Sequence, residues 1–229
     1  MNKNNIIFIW SGTLLLLITA FLSCNSNKNE IVIENETFAY RIDKTGRNLG
    51  FVDKQNNVDY LEADDSSYCA SVTVEGQTIH ASKVEMPSAN KIHLWFGDAG
   101  ISATLRMEKQ KDHIIFEVAE FDGKAESLNF MNIPLRLNGM PDEPFAACVL
   151  ALNPFTHVRQ LPALQTQLWA NAYERFNIKG ARIALLGTTP GNMLALIRAV
   201  ISKSPDIPAS TKGGAWAQDN KEGYGSYIM

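Results

Sequence analysis

The chain has 229 residues, 45% of them hydrophobic, with 21 Lys and Arg against 24 Asp and Glu and a formal net charge of −3. That length suffices for one large or two small packed domains. The mild acidity, with no clustered basic stretch, excludes the electrostatic footprint of a nucleic-acid binder, and three cysteines are too few for a disulfide-stapled scaffold.

Met1 to Asn5 is polar with one cation, Lys3, and Ile6 to Leu22 is apolar apart from Ser11-Gly12-Thr13. At about 17 residues the apolar run falls short of the roughly 20 needed to cross a hydrocarbon core of about 30 Å. A basic head, a short apolar stretch and a small residue at its end fit a secretory signal better, although Phe21 stands where an ordinary signal peptide wants a small side chain. The run closes on Phe21-Leu22-Ser23-Cys24, which resembles the lipobox of bacterial lipoproteins. That resemblance implies cleavage after Ser23, acylation of the Cys24 sulfur and then of its amine (palmitate-type chains), and a mature protein hanging from a cell-envelope membrane. Several acyl chains exceed the two signals that stable anchoring needs, at about 0.8 kcal/mol per buried CH₂. Residues 1–23 are therefore expected to leave as a signal. Asn25 to Glu30 is a polar tether with nothing to bury.

Strand patterns follow. Ile31-Val32-Ile33, Phe38 to Ile42, Leu49 to Val52 and Val58 to Leu61 are separated by the turn clusters at 43–46 and 53–57. Ser71 to Glu75 and Thr78 to Ala81 flank Gly76-Gln77 as a hairpin. Ile92 to Phe96, Ile101 to Met107 and His113 to Val118 continue the series. Short strands at roughly 8–12-residue spacing predict an antiparallel β-sandwich, mainly β, over residues 31–135. Asn138-Gly139, Pro141 and Pro144 then break regular structure, marking a boundary or a long connection. Residues 161–176 favour helix by composition, yet Leu168 to Tyr173 also serves as a strand. Ile183 to Leu186 is a short buried strand. Thr189 as N-cap and Pro190 at the first position open a helix of about 190–203, with Met193, Leu196, Ile197, Val200 and Ile201 on one face and Ser204-Pro205 as its stop. The expected domain therefore spans 31–204, with 205–229 a linker or the start of a second domain.

The chemistry-bearing residues are sparse. His80, His93, His113 and His157 lack the close spacing of metal ligands, so neither metal nor cofactor is expected. A Ser-His-Asp triad is spatial and leaves no spacing to read, and no Gly-x-Ser-x-Gly elbow occurs. Gly187 to Asn192 sits between strand and helix as a phosphate loop does, but lacks the Gly-Lys-Ser/Thr end, and helix capping accounts for its Thr-Pro. Asp64-Asp65 and Asp142-Glu143 read as solvated turns. Cys69 and Cys148 lie in apolar contexts, as buried free thiols or as a bridge. Aromatic residues are the stronger lead, since sugar rings stack their C–H faces on them. Trp95 alternates within a strand and is expected in the core. Trp169 and Tyr173, four apart, share a face if helical, as core packing or as a sugar platform. Trp216, beside Gln218 and Asp219 and after Gly213-Gly214, is either a stacking surface with hydrogen-bonding neighbours or a plug between domains.

Residues 38–54, Phe-Ala-Tyr-Arg-Ile-Asp-Lys-Thr-Gly-Arg-Asn-Leu-Gly-Phe-Val-Asp-Lys, with Asp59-Tyr60-Leu61 after them, resemble the opening of the galactose-mutarotase-like sandwich that precedes a catalytic barrel in several glycoside hydrolases and polysaccharide lyases. The segment from Ala181 to Trp216 resembles the link into such a barrel, and the lipobox suits surface glycan-degrading lipoproteins of the Bacteroidetes. The resemblance implies a non-catalytic accessory sandwich of a larger polysaccharide-degrading lipoprotein, the chain being its N-terminal portion. The alternatives are a stand-alone glycan-binding lipoprotein, or a complete small glycosidase using acids such as Asp219 and Glu222. The expected partners are the membrane, through the lipid, and a poly- or oligosaccharide.

Overall fold

The computed structural model describes residues 29–62, 64, 67–98, 100–159 and 166–207. Its first four strands, β1 (Glu30–Glu34), β2 (Phe38–Asp43), β3 (Asn48–Asp53) and β4 (Val58–Asp59), form an antiparallel meander in chain order. Alternation buries Ile31 and Ile33 of β1, and Phe38, Tyr40 and Ile42 of β2, on one face. The β2–β3 turn is closed by Asp43, whose Oδ1 accepts from the backbone N–H of Thr45 (2.8 Å) and of Arg47 (2.9 Å). Gly46 within it has φ +89°, and a Cβ there would lie 2.8 Å from the Ala81 Cβ, so only glycine fits.

The remaining strands are β5 (Ser71–Val74), β6 (Gln77–Ser88), β7 (Lys91–Phe96), β8 (Ile101–Lys109), β9 (His113–Asp122), β10 (Ser127–Leu135), β11 (Ala146–Ala151), β12 (Thr156–Val158), β13 (Thr166–Tyr173) and β14 (Arg182–Thr188). They form one antiparallel sheet in the order β11-β14-β9-β8-β7-β6-β5-β10-β13-β12. Strand β6 turns the corner: residues 77–80 pair with β5 and residues 81–88 with β7, across a bulge between Ala81 and Lys83. The sheet rolls until its two edges meet. Arg182 N of β14 donates to Thr156 Oγ1 of β12 (2.8 Å), and Asn153 Nδ2 to the Gly180 carbonyl (2.7 Å). The small sheet closes the roll through Val84 N to the Lys44 carbonyl and Cys69 N to the Gly46 carbonyl, both 2.8 Å. The result is a mainly β, antiparallel sandwich that approaches a barrel. Between the sheets lies the core, where Phe38 stacks on Phe51 at 5.3 Å among Leu94, Leu105, Ile114, Phe116 and Ile133.

A second, smaller core lies outside. In β14, Ile183 and Leu185 face the main core while Ala184 and Leu186 face helix α1 (Pro190–Ser202), which covers them with Leu196 and Val200. The strand is thus buried on both faces, as its unbroken apolar run requires. The predicted helix is present, but its start differs in detail. Thr189 occupies the N-cap with extended φ −71°, ψ 150°, yet its hydroxyl makes no capping bond.

One expectation is corrected and one open alternative is decided. Trp95 is not in the core: Ile92, Leu94 and Phe96 take the inward positions of β7, leaving His93 and Trp95 outside, with Lys83 Nζ 4.5 Å above the Trp95 ring. Of the two readings left open for 161–176, the strand holds: residues 166–173 form a strand that ends in a short 3₁₀ turn at Glu174–Phe176. The breaks at 137–145 mark a connection, because β11 beyond them pairs with β14 of the same sheet. Strands β10 to β12 were not anticipated. In β10 a bulge between Asn129 and Met131 buries five residues in succession and erases the period of two.

Candidate functional site

The half of the large sheet made of β6, β5, β10, β13 and β12 has an apolar inner face and an unusual outer one. Directly paired residues share a face, and the register aligns His157 with Asn171, Asn171 with Asn129, Asn129 with Ser71, and Ser71 with His80. A parallel row runs Tyr173, Ser127, Thr73, Thr78, with Ser127 Oγ donating to Thr73 Oγ1 at 3.2 Å. The intervening row (Ala172, Leu128, Val72, Ile79) faces the core. Strand alternation thus sorts one stretch, Leu168-Trp169-Ala170-Asn171-Ala172-Tyr173, into Leu and Ala inward and Trp, Asn and Tyr outward.

These outward residues form a cradle. Trp169 and Tyr173 flank Asn171 along β13, and His157 stands opposite it on β12, its ring edge-on to Trp169 at 5.4 Å and stacked near Tyr173 at 6.2 Å. Asn171 is only 4% exposed. Its neighbour Asn129 is tied down, Nδ2 donating to the Ala170 carbonyl (2.8 Å) and the Met131 carbonyl (3.2 Å). Among the described residues no hydrogen bond engages the Asn171 carboxamide. The buried polar atoms left without a partner among the described residues belong to Asn35, Arg41 and Arg182 and not to Asn171, so the Asn171 carboxamide still reaches the surface and is the group here that a ligand hydroxyl would meet. Beside the cradle, Arg159 lies 4.9 Å over the Trp169 ring and donates to Gln167 Oε1 (3.0 Å). Gln167 Nε2 in turn donates to Asn132 Oδ1 (2.7 Å), and Asn132 Nδ2 to the Tyr68 carbonyl (2.9 Å). Tyr68 stacks on His80 at 4.7 Å. Four strand spacings of about 4.8 Å put His80 and His157 roughly 19 Å apart, too far to act on one atom.

Of the residues singled out from the sequence, Trp169 lies in this cradle, with Tyr173 on the same face for the strand's reason and not the helix's. Trp216, Gln218, Asp219, Glu222 and Cys24 lie outside the described residues. His157, Asn171 and Asn129 were missed. The alternation Trp-x-Asn-x-Tyr was the available signal, masked by the helix-favouring Leu and Ala between. The histidines are all on strands, and among the described residues no group of three or more His, Cys, Asp or Glu could hold a metal ion. Gly187 belongs to β14 and not to an anion-binding loop, its missing side chain making room for Phe38. Glu143 is spent on its own turn, accepting from Asn138 N and Met140 N at 2.9 Å each. Cys69 and Cys148 are free. They belong to different cores, Cys148 lying 3.7 Å from Met193 Sδ under α1, and burial pushes both thiols up to about 12, which makes them inert. Among the described residues no helix is long and apolar enough to cross a membrane.

No protein-family model matches the chain, and no curated protein matches it. Among solved structures it is similar to a galactose mutarotase related enzyme from Lactobacillus acidophilus, with 11% identity and a TM-score of 0.31. The match covers 61% of this chain and 62% of that one, so the chain spans less than two thirds of that protein. The antiparallel sandwich described above rests on its own strand order and register.

Proposed function

We propose that this chain is a saccharide-binding β-sandwich that works at a bacterial cell envelope, tethered by lipid on Cys24. One observation carries the binding reading: the Asn171 carboxamide, which no hydrogen bond engages among the described residues, at the floor of a cradle walled by Trp169, Tyr173 and His157. Aromatic faces are negative and attract the slightly positive C–H edges of a pyranose, and a few placed polar groups then orient its hydroxyls. The outer rows named above contain no Asp or Glu, whereas a glycosidase needs two carboxyl groups about 5–9.5 Å apart. The face therefore supports capture of a sugar better than its hydrolysis. In the same reading the domain serves polysaccharide degradation as an accessory module, a role supported by the resemblance of residues 38–54.

Titration calorimetry of the full chain against a panel of oligosaccharides tests this. Saturable binding weakened about 30-fold by Trp169→Ala is expected, the equivalent of a binding hot spot of about 2 kcal/mol. Absence of binding across the panel would leave only the structural accessory role. The tether is tested separately by metabolic labelling with palmitate, which Cys24→Ala should abolish.

A further inference from the structure

The cradle does not end at His157. Its two residues His157 and Tyr173 also line a groove of about 360 Å³ whose other walls include Phe155, Arg175 and Phe176. Phe155 and Phe176 are 48% and 49% exposed, a large apolar surface to leave in water. The Arg175 guanidinium lies 4.6 Å from the centre of the Phe176 ring and 5.5 Å from that of Tyr173. Arg159 holds the equivalent place over Trp169 at the other side of the cradle.

The pairing of these two arginines is what distinguishes the groove. Arg41, Arg106 and Arg182 all make ion pairs with carboxylates. Among the described residues Arg159 and Arg175 make none, nor do Arg136 and Arg198, but those two stand over no aromatic ring whereas Arg159 and Arg175 do. Glu174, next to Arg175 in sequence, is exposed and forms no ion pair with it. No Asp or Glu lines the groove. Two cations are thus stacked on aromatic rings at the two sides of one cradle, and among the described residues neither is ion-paired with a carboxylate. Stacking fixes the plane of each guanidinium, and beyond the one N–H that Arg159 gives to Gln167 Oε1 the remaining donors can meet a planar or tetrahedral oxyanion.

From this we infer that the ligand is an anionic oligosaccharide, one pyranose ring of which sits in the cradle while carboxylates or sulfates along it meet Arg159 at one side and Arg175 at the other. The inference rests on the saccharide-binding reading above and adds the chemical class of the ligand. Both acid types offer the oxyanion that the arginines recognise, and the test separates them.

The full chain, in detergent, is titrated with three oligosaccharides of matched length: a neutral one, one containing hexuronate and one carrying sulfate esters. At low ionic strength one of the charged ligands should bind about tenfold more tightly than the neutral one, the factor that about 1.4 kcal/mol gives. That advantage should shrink as salt shortens the screening length from about 30 Å to about 3 Å. In the Arg159→Gln/Arg175→Gln double variant the charged-to-neutral ratio should fall to about one. Both side chains are at the surface, so an unchanged melting temperature is the folding control. Preference for hexuronate or for sulfate identifies the source of the anion. Neutral and charged ligands binding equally, with Trp169→Ala still weakening both, would overturn the anionic class and leave saccharide binding standing. A charge preference that survives in the double variant would equally overturn it. If none of the three binds, the saccharide-binding reading itself falls.

Discussion

Gly187→Ala probes how tightly the two sheets close. Gly187 lies in β14 opposite Ala147, with its missing side chain directed at the main core. A Cβ there would lie 2.6 Å from Phe38 Cδ1 and 2.9 Å from Phe145 Cζ. Ordinary carbon contacts are about 3.5–4.0 Å, so Phe38 must retreat by roughly 1 Å. It has nowhere to go: the ring is fully buried and stacked on Phe51, which itself packs on Phe145 at 6.3 Å. Overpacking of this kind costs about 1–3 kcal/mol. Gly191 at the start of α1 is the control, because a Cβ there meets nothing within 4 Å, and alanine in a helix gains up to about 1 kcal/mol over glycine. Urea unfolding should show the Gly187→Ala midpoint lowered by about 0.5–1.5 M at a slope of about 2 kcal/mol/M, and the Gly191→Ala midpoint unchanged or raised. Phe38→Leu destabilises alone, yet combined with Gly187→Ala it should cost less than the sum, since the smaller side chain vacates the disputed space. Gly187→Ala at wild-type stability would refute the packing described here.

Three further outcomes follow. Asn171→Leu should change stability by no more than about 0.5 kcal/mol, because no hydrogen bond engages that carboxamide among the described residues, while abolishing saccharide binding in calorimetry; loss of stability with binding retained would contradict the cradle. Tyr40→Phe should lower unfolding free energy by about 1–2 kcal/mol in a denaturant titration, since the Tyr40 hydroxyl donates to Asn48 Oδ1 in the core and its loss strands that oxygen. Stability should also fall on the alkaline side. Burial raises Cys69 and Cys148 from an ordinary 9.0 to about 12, and raises Tyr40 well above 10.0. The folded chain therefore holds protons that the unfolded chain releases, so this contribution is complete below about pH 9 and is lost as pH climbs toward about 12. Unfolding free energies stepped through that range measure it, and the Cys69→Ala/Cys148→Ala double variant should flatten the cysteine part of the slope.

Much of the scaffold was readable in advance, for local reasons. The strands from Ile31 to Val118 alternate with period two, the turns between them carry Asp, Asn and Gly, and the helix from Pro190 shows a 3.6-residue stripe. Each signal is written within a few residues. Trp95 shows where that ends: alternation says that a face is shared, not which face is inside, and only the packing of Ile92, Leu94 and Phe96 decides. Strand β10 shows another limit, its bulge hiding the period that would have revealed it.

The sequence by itself determined that this is a β-rich chain, through its alternation and its turn chemistry, both properties of neighbours along the backbone. Only the tertiary structure decided that His157, Asn171, Asn129, Ser71 and His80 stand in one row, because register between strands as distant in sequence as β5 and β12 depends on how the whole sheet rolls. The same roll brings the Trp169 cradle and the Arg175 groove together around His157. The reason is physical: period and turn type are local, whereas a site on a sheet face is assembled across strands.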